Sequence, residues 1–400
     1  MSVTREEYRA IKAQKAHKAD TEKKNMMAGK GSIDVPFLLL TLLLTAMGLA
    51  MLFSASFPYA LSEYNDAYYV IKRQAFFAFL GLVAMFIVAR INYQRWRGAA
   101  KLLLGVALFL LVLVIIPGVG VTRNNATRWL GFGGLTFQPS EIAKLAVIVY
   151  FADSISKKRE KMLTIRDGVL PYLGILVIIA ALMMLEPHLS GSVLIICTGI
   201  IMMVVGGMNG WLVGLGFGGV GLAAVLYVKA VEKGIISYGA SRITMWHDPW
   251  LDSTADGYQM VQSLIAIGSG GLLGVGFGRS RQKFLYLPER HNDFIFAVAA
   301  EELGLIGACI IMLVFALLII RGFWIALHAR DRFGALLTVG IMTHLGLQTF
   351  LNIAVVSGLV PATGISLPFF SYGGTALALQ LVEMGIVLSV SRQIPAPRNG

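Results

Sequence analysis

Ionisable side chains are scarce where a chain is apolar, because hydrocarbon penalises them, so those that persist beside apolar runs mark places where chemistry is done. Asp293 stands in P-E-R-H-N-D-F-I-F at 288–296, where a polar stretch gives way to a long apolar one. A carboxylate so placed can act as a general base towards a substrate held at a membrane surface. It can equally cap a helix, since Asn and Asp satisfy the orphan amides of a first turn and suit its macrodipole, and the residue types leave both readings open. Glu289, upstream in the same stretch, is a candidate substrate-binding group. A-T-R-W-L at 126–130 contributes Arg128, and F-Q-P-S-E-I-A-K at 137–144 contributes Glu141 and Lys144. Pro139 suits the first turn of a helix, which sets Glu141 and Lys144 at i and i+3 on one face. They read as an ion pair that neutralises both charges or, with Arg128, as the charged wall of an outward cavity. R-S-R-Q-K at 279–283 gathers Arg279, Arg281 and Lys283, which are either solvated or meet an anionic partner such as a lipid phosphate. Asp248, Asp252 and Asp256 are spaced four apart; turn formation accounts for much of that pattern, with a divalent-cation site as the alternative.

The elements that must position these groups follow from composition. Of 400 residues, 56% are hydrophobic and 14% charged, against roughly 45 to 50% and about 25% in a soluble domain. Uncharged runs approach or exceed the ~20 residues that cross a bilayer as a helix. The expected fold is therefore all-α and polytopic, with about ten transmembrane helices near 36–53, 74–89, 102–121, 139–152, 168–185, 189–208, 210–228, 293–320, 333–357 and 373–391. An even count returns both termini to one side. With that side cytoplasmic, its tails and loops hold 22 of the 34 Lys and Arg residues, the outer loops hold 11, and Lys144 lies within a span, in accord with the positive-inside rule. Residues 1–33 then form a basic cytoplasmic tail, 34–392 the membrane domain with one long outer loop at about 230–292, and 393–400 a cytoplasmic tail. The net charge of +12 is a topology signal, and no nucleic-acid partner is expected. Cys197 and Cys309 sit in apolar runs and offer neither a disulfide framework nor metal spacing. Gly214, Gly216 and Gly219 match G-x-G-x-x-G but follow no strand, so close helix packing is the better reading. The glycines between 268 and 278 lack a Walker lysine pattern and read as a turn between short outer helices.

These segments resemble the SEDS family (shape, elongation, division and sporulation). The resemblance is carried by A-T-R-W-L with F-Q-P-S-E-I-A-K, R-I-T at 242–244 with D-P-W, G-Y-Q-M-V-Q-S-L-I-A-I-G-S-G-G at 257–271, Q-K-F-L-Y-L-P-E-R-H-N-D-F-I-F, and G-L-V-P-A-T-G-I-S-L-P-F-F-S-Y-G-G at 358–374. It covers essentially the whole membrane region and is closer to the division and sporulation branch than to the rod-elongation branch. It implies ten membrane helices and a peptidoglycan glycosyltransferase that polymerises lipid II on the outer face of the cytoplasmic membrane. Asp293 matches the family's proposed catalytic Asp, and Arg128 and Lys144 match family positions that would offset charge on the departing diphosphate. Arg279, Arg281 and Lys283 are further candidates for that task. The implied partners are a class B penicillin-binding protein and other divisome membrane proteins. No cofactor is certain; a divalent cation could assist, but no ligand set is strong enough to name. Two departures stand out: E-P-H-L-S-G at 186–191 puts His188 where the family often has an acid, and Asn292 precedes Asp293 where Thr is common. A lipid flippase and a non-catalytic scaffold are the rival functions. A flippase calls for charged sites near the midplane and access from both faces, whereas Glu141, Lys144 and Asp293 are all expected towards the outer side.

Overall fold

A computed structural model describes residues 31–123, 126–132, 135–233, 245–255 and 257–394. The expected tails at 1–33 and 393–400, R-I-T at 242–244 and Asp256 lie wholly or mostly outside them. Eleven helices are described, from α1 (Val35–Tyr64), α2 (Tyr69–Arg90) and α3 (Gln94–Ile115) through α4 (Pro139–Lys157), α5 (Leu170–Leu185), α6 (Leu189–Val205) and α7 (Gly210–Glu232) to α8 (Tyr258–Gly270), α9 (Ile295–Leu327), α10 (Arg332–Val356) and α11 (Gly374–Ser391). Seven stretches are long and apolar enough to cross a membrane: α1, α2, α3, Ile165–Leu185, α9, α10 and α11. The all-α expectation holds, with one small sheet added. Between α3 and α4 the chain forms a three-stranded antiparallel meander, β1 (Gly120–Arg123), β2 (Ala126–Phe132) and β3 (Leu135–Phe137). T-R-W-L and L-T-F carry β-branched and aromatic residues that suit a strand, and the three segments lie close enough in sequence to pair locally.

Burial divides the helices. In α10 and α11 67% and 61% of the most apolar window is buried, against 28 to 39% in the other five stretches, so these two form the centre and the rest turn apolar faces outward. Leu102, Phe109, Val177 and Ile320 are among the exposed large apolar side chains, which suits lipid as solvent.

The two described chain ends meet at one end of the bundle, where the Gly31 amide donates to the Arg392 carbonyl at 2.9 Å and the Asp34 amide to Ser391 Oγ at 3.3 Å. Asp34 also caps α1 through Phe37 N and takes a two-pronged contact from Arg321 of α9. This ion pair gives a height scale, because each helical residue rises about 1.5 Å. The apolar layer of about 30 Å thus runs from the Asp34 level to near Ala55 on α1.

The eighth span begins later than the sequence suggested and is broken. Helix α9 starts at Ile295 and departs from helical geometry at Gly304 (φ 68°, ψ −173°). A Cβ there would lie 2.3 Å from the Gly274 amide nitrogen, so the break exists to admit the 271–278 turn against the helix, a packing that only glycine permits.

Candidate active site

At the end of the bundle opposite the chain ends lies a cavity of about 1090 Å³, lined by Asp293, Glu289, Arg128, Glu141 and Lys144 together with residues of the 361–380 segment. Five of the eight candidate residues read from the sequence therefore share one space.

Asp293 is not a helix cap. The residue preceding α9 is Phe294, and no side chain closes that first turn. Asp293 lies one residue further out, and among the described residues no hydrogen bond to its carboxylate is found. Its backbone, by contrast, is held firmly. Asn352 Nδ2 donates to the Asp293 carbonyl at 2.7 Å and to the Ile365 carbonyl at 2.6 Å. Ser371 Oγ donates to the Asn292 carbonyl at 2.7 Å, and the Tyr372 amide to the His291 carbonyl at 2.9 Å. Gly364 has φ 71°, and a Cβ there would come to 3.4 Å from Asp293 Oδ2, so glycine leaves the approach to the carboxylate open. Enclosure by protein pushes the Asp293 carboxyl up to about 7, Glu289 raises it further, and Arg128 opposes both. A free carboxylate titrating near neutrality has the property a general base needs.

Arg128 projects from β2. Its Nε donates to the Glu186 carbonyl at 3.2 Å and its Nη2 to the Pro187 carbonyl, so the guanidinium ties the sheet to the turn between α5 and α6. Within that turn Glu186 is buried, neither carboxylate oxygen finds a hydrogen-bond partner among the described residues, and burial lifts its carboxyl to about 8 against the pull of Arg128. His188 lines the cavity with Nδ1 3.5 Å from Gln138 Nε2. Burial, then Arg128 and Lys144, depress its imidazole to about 3, so it is a neutral group where an acid was expected.

Glu141 and Lys144 make the anticipated pair at 2.7 Å, with the Lys144 side chain 5% exposed. Both also line the cavity, so the two readings are one arrangement. Their depth differs from expectation. Lys144 lies about 20 Å above the inner end of α4, and Glu383 of α11 about 12 Å above Ser391. The cavity floor therefore reaches towards the membrane midplane. The 288–293 segment sits far higher, since His291 stacks on Tyr59 at 4.2 Å and Tyr59 is about 37 Å above Asp34 along α1. Asp293 thus lies beyond an apolar layer of about 30 Å, and Lys144 in the half of that layer further from the chain ends.

Arg279, Arg281 and Lys283 do not line this cavity. Arg279 and Arg281 are exposed. Lys283 is buried against Glu302 at 2.9 Å, the two side chains 4% and 0% exposed, so its charge is spent inside the protein and is withdrawn as a substrate contact. The acidic series reads as turn structure: Asp248 accepts from Trp250 N and Asp252 from Ala255 N. Among the described residues no group of three or more His, Cys, Asp or Glu is placed to hold a metal ion.

The sequence reading missed Arg73, His344, Gln348 and Glu383, which also line the cavity. Glu383 was the findable one, a lone acid inside the last apolar run. Arg73 resembles any charge at a span boundary and gives no such signal.

A bundle of apolar helices with a cup at the end away from the chain ends, a carboxylate at its rim that takes no hydrogen bond from a described residue and cations in its wall defines a multi-pass membrane protein with a polar, charged cavity. A family model described as a cell cycle protein and covering the FtsW, RodA and SpoVE proteins matches residues 35–395, and the chain belongs to this family, in its FtsW and SpoVE branch. Stage V sporulation protein E of Bacillus subtilis is 43% identical over 368 residues, 92% of this chain and 99% of that protein. The probable peptidoglycan glycosyltransferase FtsW of Geobacter sulfurreducens is 40% identical over 363 residues, 90% of this chain and 95% of that protein. Among solved structures, a chain from a peptidoglycan synthase complex that coordinates polymerization and crosslinking superposes with a TM-score of 0.76 at 29% identity, over 91% of this chain and 98% of that one. The rod shape determining protein RodA of Thermus thermophilus superposes with a TM-score of 0.67 at 27% identity, over 92% and 99%.

Proposed function

We propose that this chain is a peptidoglycan glycosyltransferase that polymerises lipid II for septal or sporulation cell-wall synthesis. The observation that carries the site assignment is the Asp293 carboxyl, which takes no hydrogen bond from a described residue, is enclosed at the cavity rim and is pushed up to about 7. The 4-hydroxyl of one disaccharide attacks the anomeric carbon of another; the new oxygen–carbon bond forms as the bond to undecaprenyl diphosphate breaks, with inversion. Asp293 takes the hydroxyl proton in the transition state. Diphosphate leaves without a general acid, so the remaining demand is for fixed positive charge where the phosphate oxygens gain negative charge. Arg128, at the cavity wall near Asp293, is best placed for that, with Lys144 deeper and Glu289 shaping the acceptor side.

The topology proposed with this reaction has ten crossings, α1 to α7 and α9 to α11, inside a membrane domain of 34–392. The cytoplasm lies at the Asp34–Arg321 end, and cytoplasmic tails occupy 1–33 and 393–400. The cavity then opens outside the cytoplasmic membrane. A class B penicillin-binding protein, with other divisome membrane proteins, is the proposed partner. The midplane depth of Lys144 and Glu383 is the observation that favours a flippase. Against it, the lining includes no described residue from the inner-end turns at 91–93, 158–169, 206–209 or 328–331, so the cavity is a cup rather than a passage. Incubating purified protein with lipid II separates these readings: glycan ladders support the polymerase, and translocation without ladders overturns it.

A further inference from the structure

The outward-facing turn 271–278 and the two arginines that follow it have no part in the cavity, yet the turn is apolar and exposed. Leu272, Leu273 and Phe277 are 66%, 79% and 53% exposed. Two independent rulers give the depth of the turn. Phe277 shares a small pocket with Met47 and Met51 of α1, about 20 to 26 Å above Asp34 by helical rise. The Leu305 and Ile306 amides of α9 donate to the Gly271 and Leu272 carbonyls, and Leu305 is about 24 Å above Arg321, the partner of Asp34. Both values fall inside a hydrocarbon layer of about 30 Å. The turn's apolar side chains continue the exposed face of α9 formed by Leu305, Ile306 and Ile310.

Backbone at that depth must be satisfied by protein, and it is. Val275 N and Gly276 N donate to the Glu301 and Glu302 carbonyls. Gly278 N donates to the Glu302 carboxylate at 2.9 Å and Arg281 N to that of Glu301 at 2.9 Å. Lys283 and Ser54 complete the set on Glu302. The chain then climbs towards the interface, where Arg279 and Arg281 are exposed on the side that the positive-inside rule leaves poor in cations.

We propose that residues 271–281 form a re-entrant wedge in the outer leaflet, with Leu272, Leu273 and Phe277 among the acyl chains and Arg279 and Arg281 binding the phosphate of an anionic phospholipid. The occupant is bulk lipid because the apolar part is continuous with a helix face already suited to hydrocarbon and the cations stand where headgroups lie. The wedge rests on the chain's being embedded in a membrane and not on the role of Asp293.

The test uses the full chain with Cys197→Ser and Cys309→Ser and a bimane on Leu273→Cys. It is reconstituted in vesicles carrying either brominated phosphatidylglycerol or brominated phosphatidylcholine at equal fraction. Bromine on the acyl chains should quench the probe, phosphatidylglycerol more strongly. Arg279→Gln and Arg281→Gln should each lower that preference about fivefold without changing the probe's depth. Both arginine side chains are exposed, so neither change disturbs packing. Quenching by aqueous iodide in place of lipid bromine would overturn the wedge. Equal quenching by the two lipids would overturn headgroup selection. Loss of lipid quenching on adding a class B penicillin-binding protein would show that a protein covers this face instead. A failure of polymerisation by Asp293→Asn leaves all of these readings unchanged.

Discussion

Two stretches a few residues apart, 279–283 and 288–293, carry ionisable residues at the end of the bundle away from the chain ends and end in opposite states. Around the first, the Glu302 carboxylate collects Lys283 Nζ, Ser54 Oγ and two backbone amides, and Glu301 collects Ser280 Oγ and the Arg281 and Gln282 amides. In the second, Asp293 takes no hydrogen bond from a described residue, while its backbone is fixed by Asn352. A buried carboxylate with both oxygens engaged by donors holds a structure together. One whose backbone is anchored and whose oxygens are left open towards a cavity is available for reaction.

The contrast is broken most severely at Asp293. Asp293→Asn keeps shape and hydrogen-bonding size, so the protein should accumulate and bind its partner while polymerisation falls about a hundredfold to ten-thousandfold, read from glycan ladders. Near-normal ladders would return Asp293 to the structural class. At the other pole, Lys283→Met leaves Glu302 uncompensated in the interior and should cost about 3 to 5 kcal/mol of stability, seen as a lower unfolding temperature in detergent. A double change of Lys283→Met with Glu302→Gln should recover much of it. Equal stability of the single variant and wild type would mean the pair is idle. Arg128→Ala is expected to reduce polymerisation about tenfold to a hundredfold, the range for a lost charge-assisted hydrogen bond of about 1.5 to 3 kcal/mol, and Lys144→Ala to reduce it as well.

The smallest effects lie in the pH profile. The base must be ionised to act, so the rate should rise with pH through about 7, the value to which the Asp293 carboxyl is pushed. Arg128 holds that value down and Glu289 holds it up. The acid limb should therefore move to higher pH in Arg128→Ala and to lower pH in Glu289→Gln, and a limb that ignores both changes would separate Asp293 from the titration.

The multi-pass helical character and the grouping of Arg128, Glu141, Lys144, Glu289 and Asp293 were legible because hydrocarbon length and the scarcity of charge leave strong marks on a sequence. What stayed hidden depends on contacts remote in the chain. Nothing near Lys283 announces Glu302 as its partner. Whether Asp293 caps α9 turned on a difference of two residues in where a helix begins, which lies below the reach of pattern reading. The β1–β2–β3 meander was masked by its short strands amid long apolar runs. Pro139 was read correctly as a helix start, but the depth of that start is set by packing against α6 and α10, which no local signal records.

The break at Gly304 has a kinetic consequence. Because Glu301 and Glu302 give their carbonyls to Val275 and Gly276 while Leu305 and Ile306 give their amides to Gly271 and Leu272, neither the turn nor the helix can open alone without orphaning the other. These four amides form one cooperative unit. In hydrogen–deuterium exchange they should therefore exchange on a single timescale, slower than an exposed turn of eight residues would allow by itself.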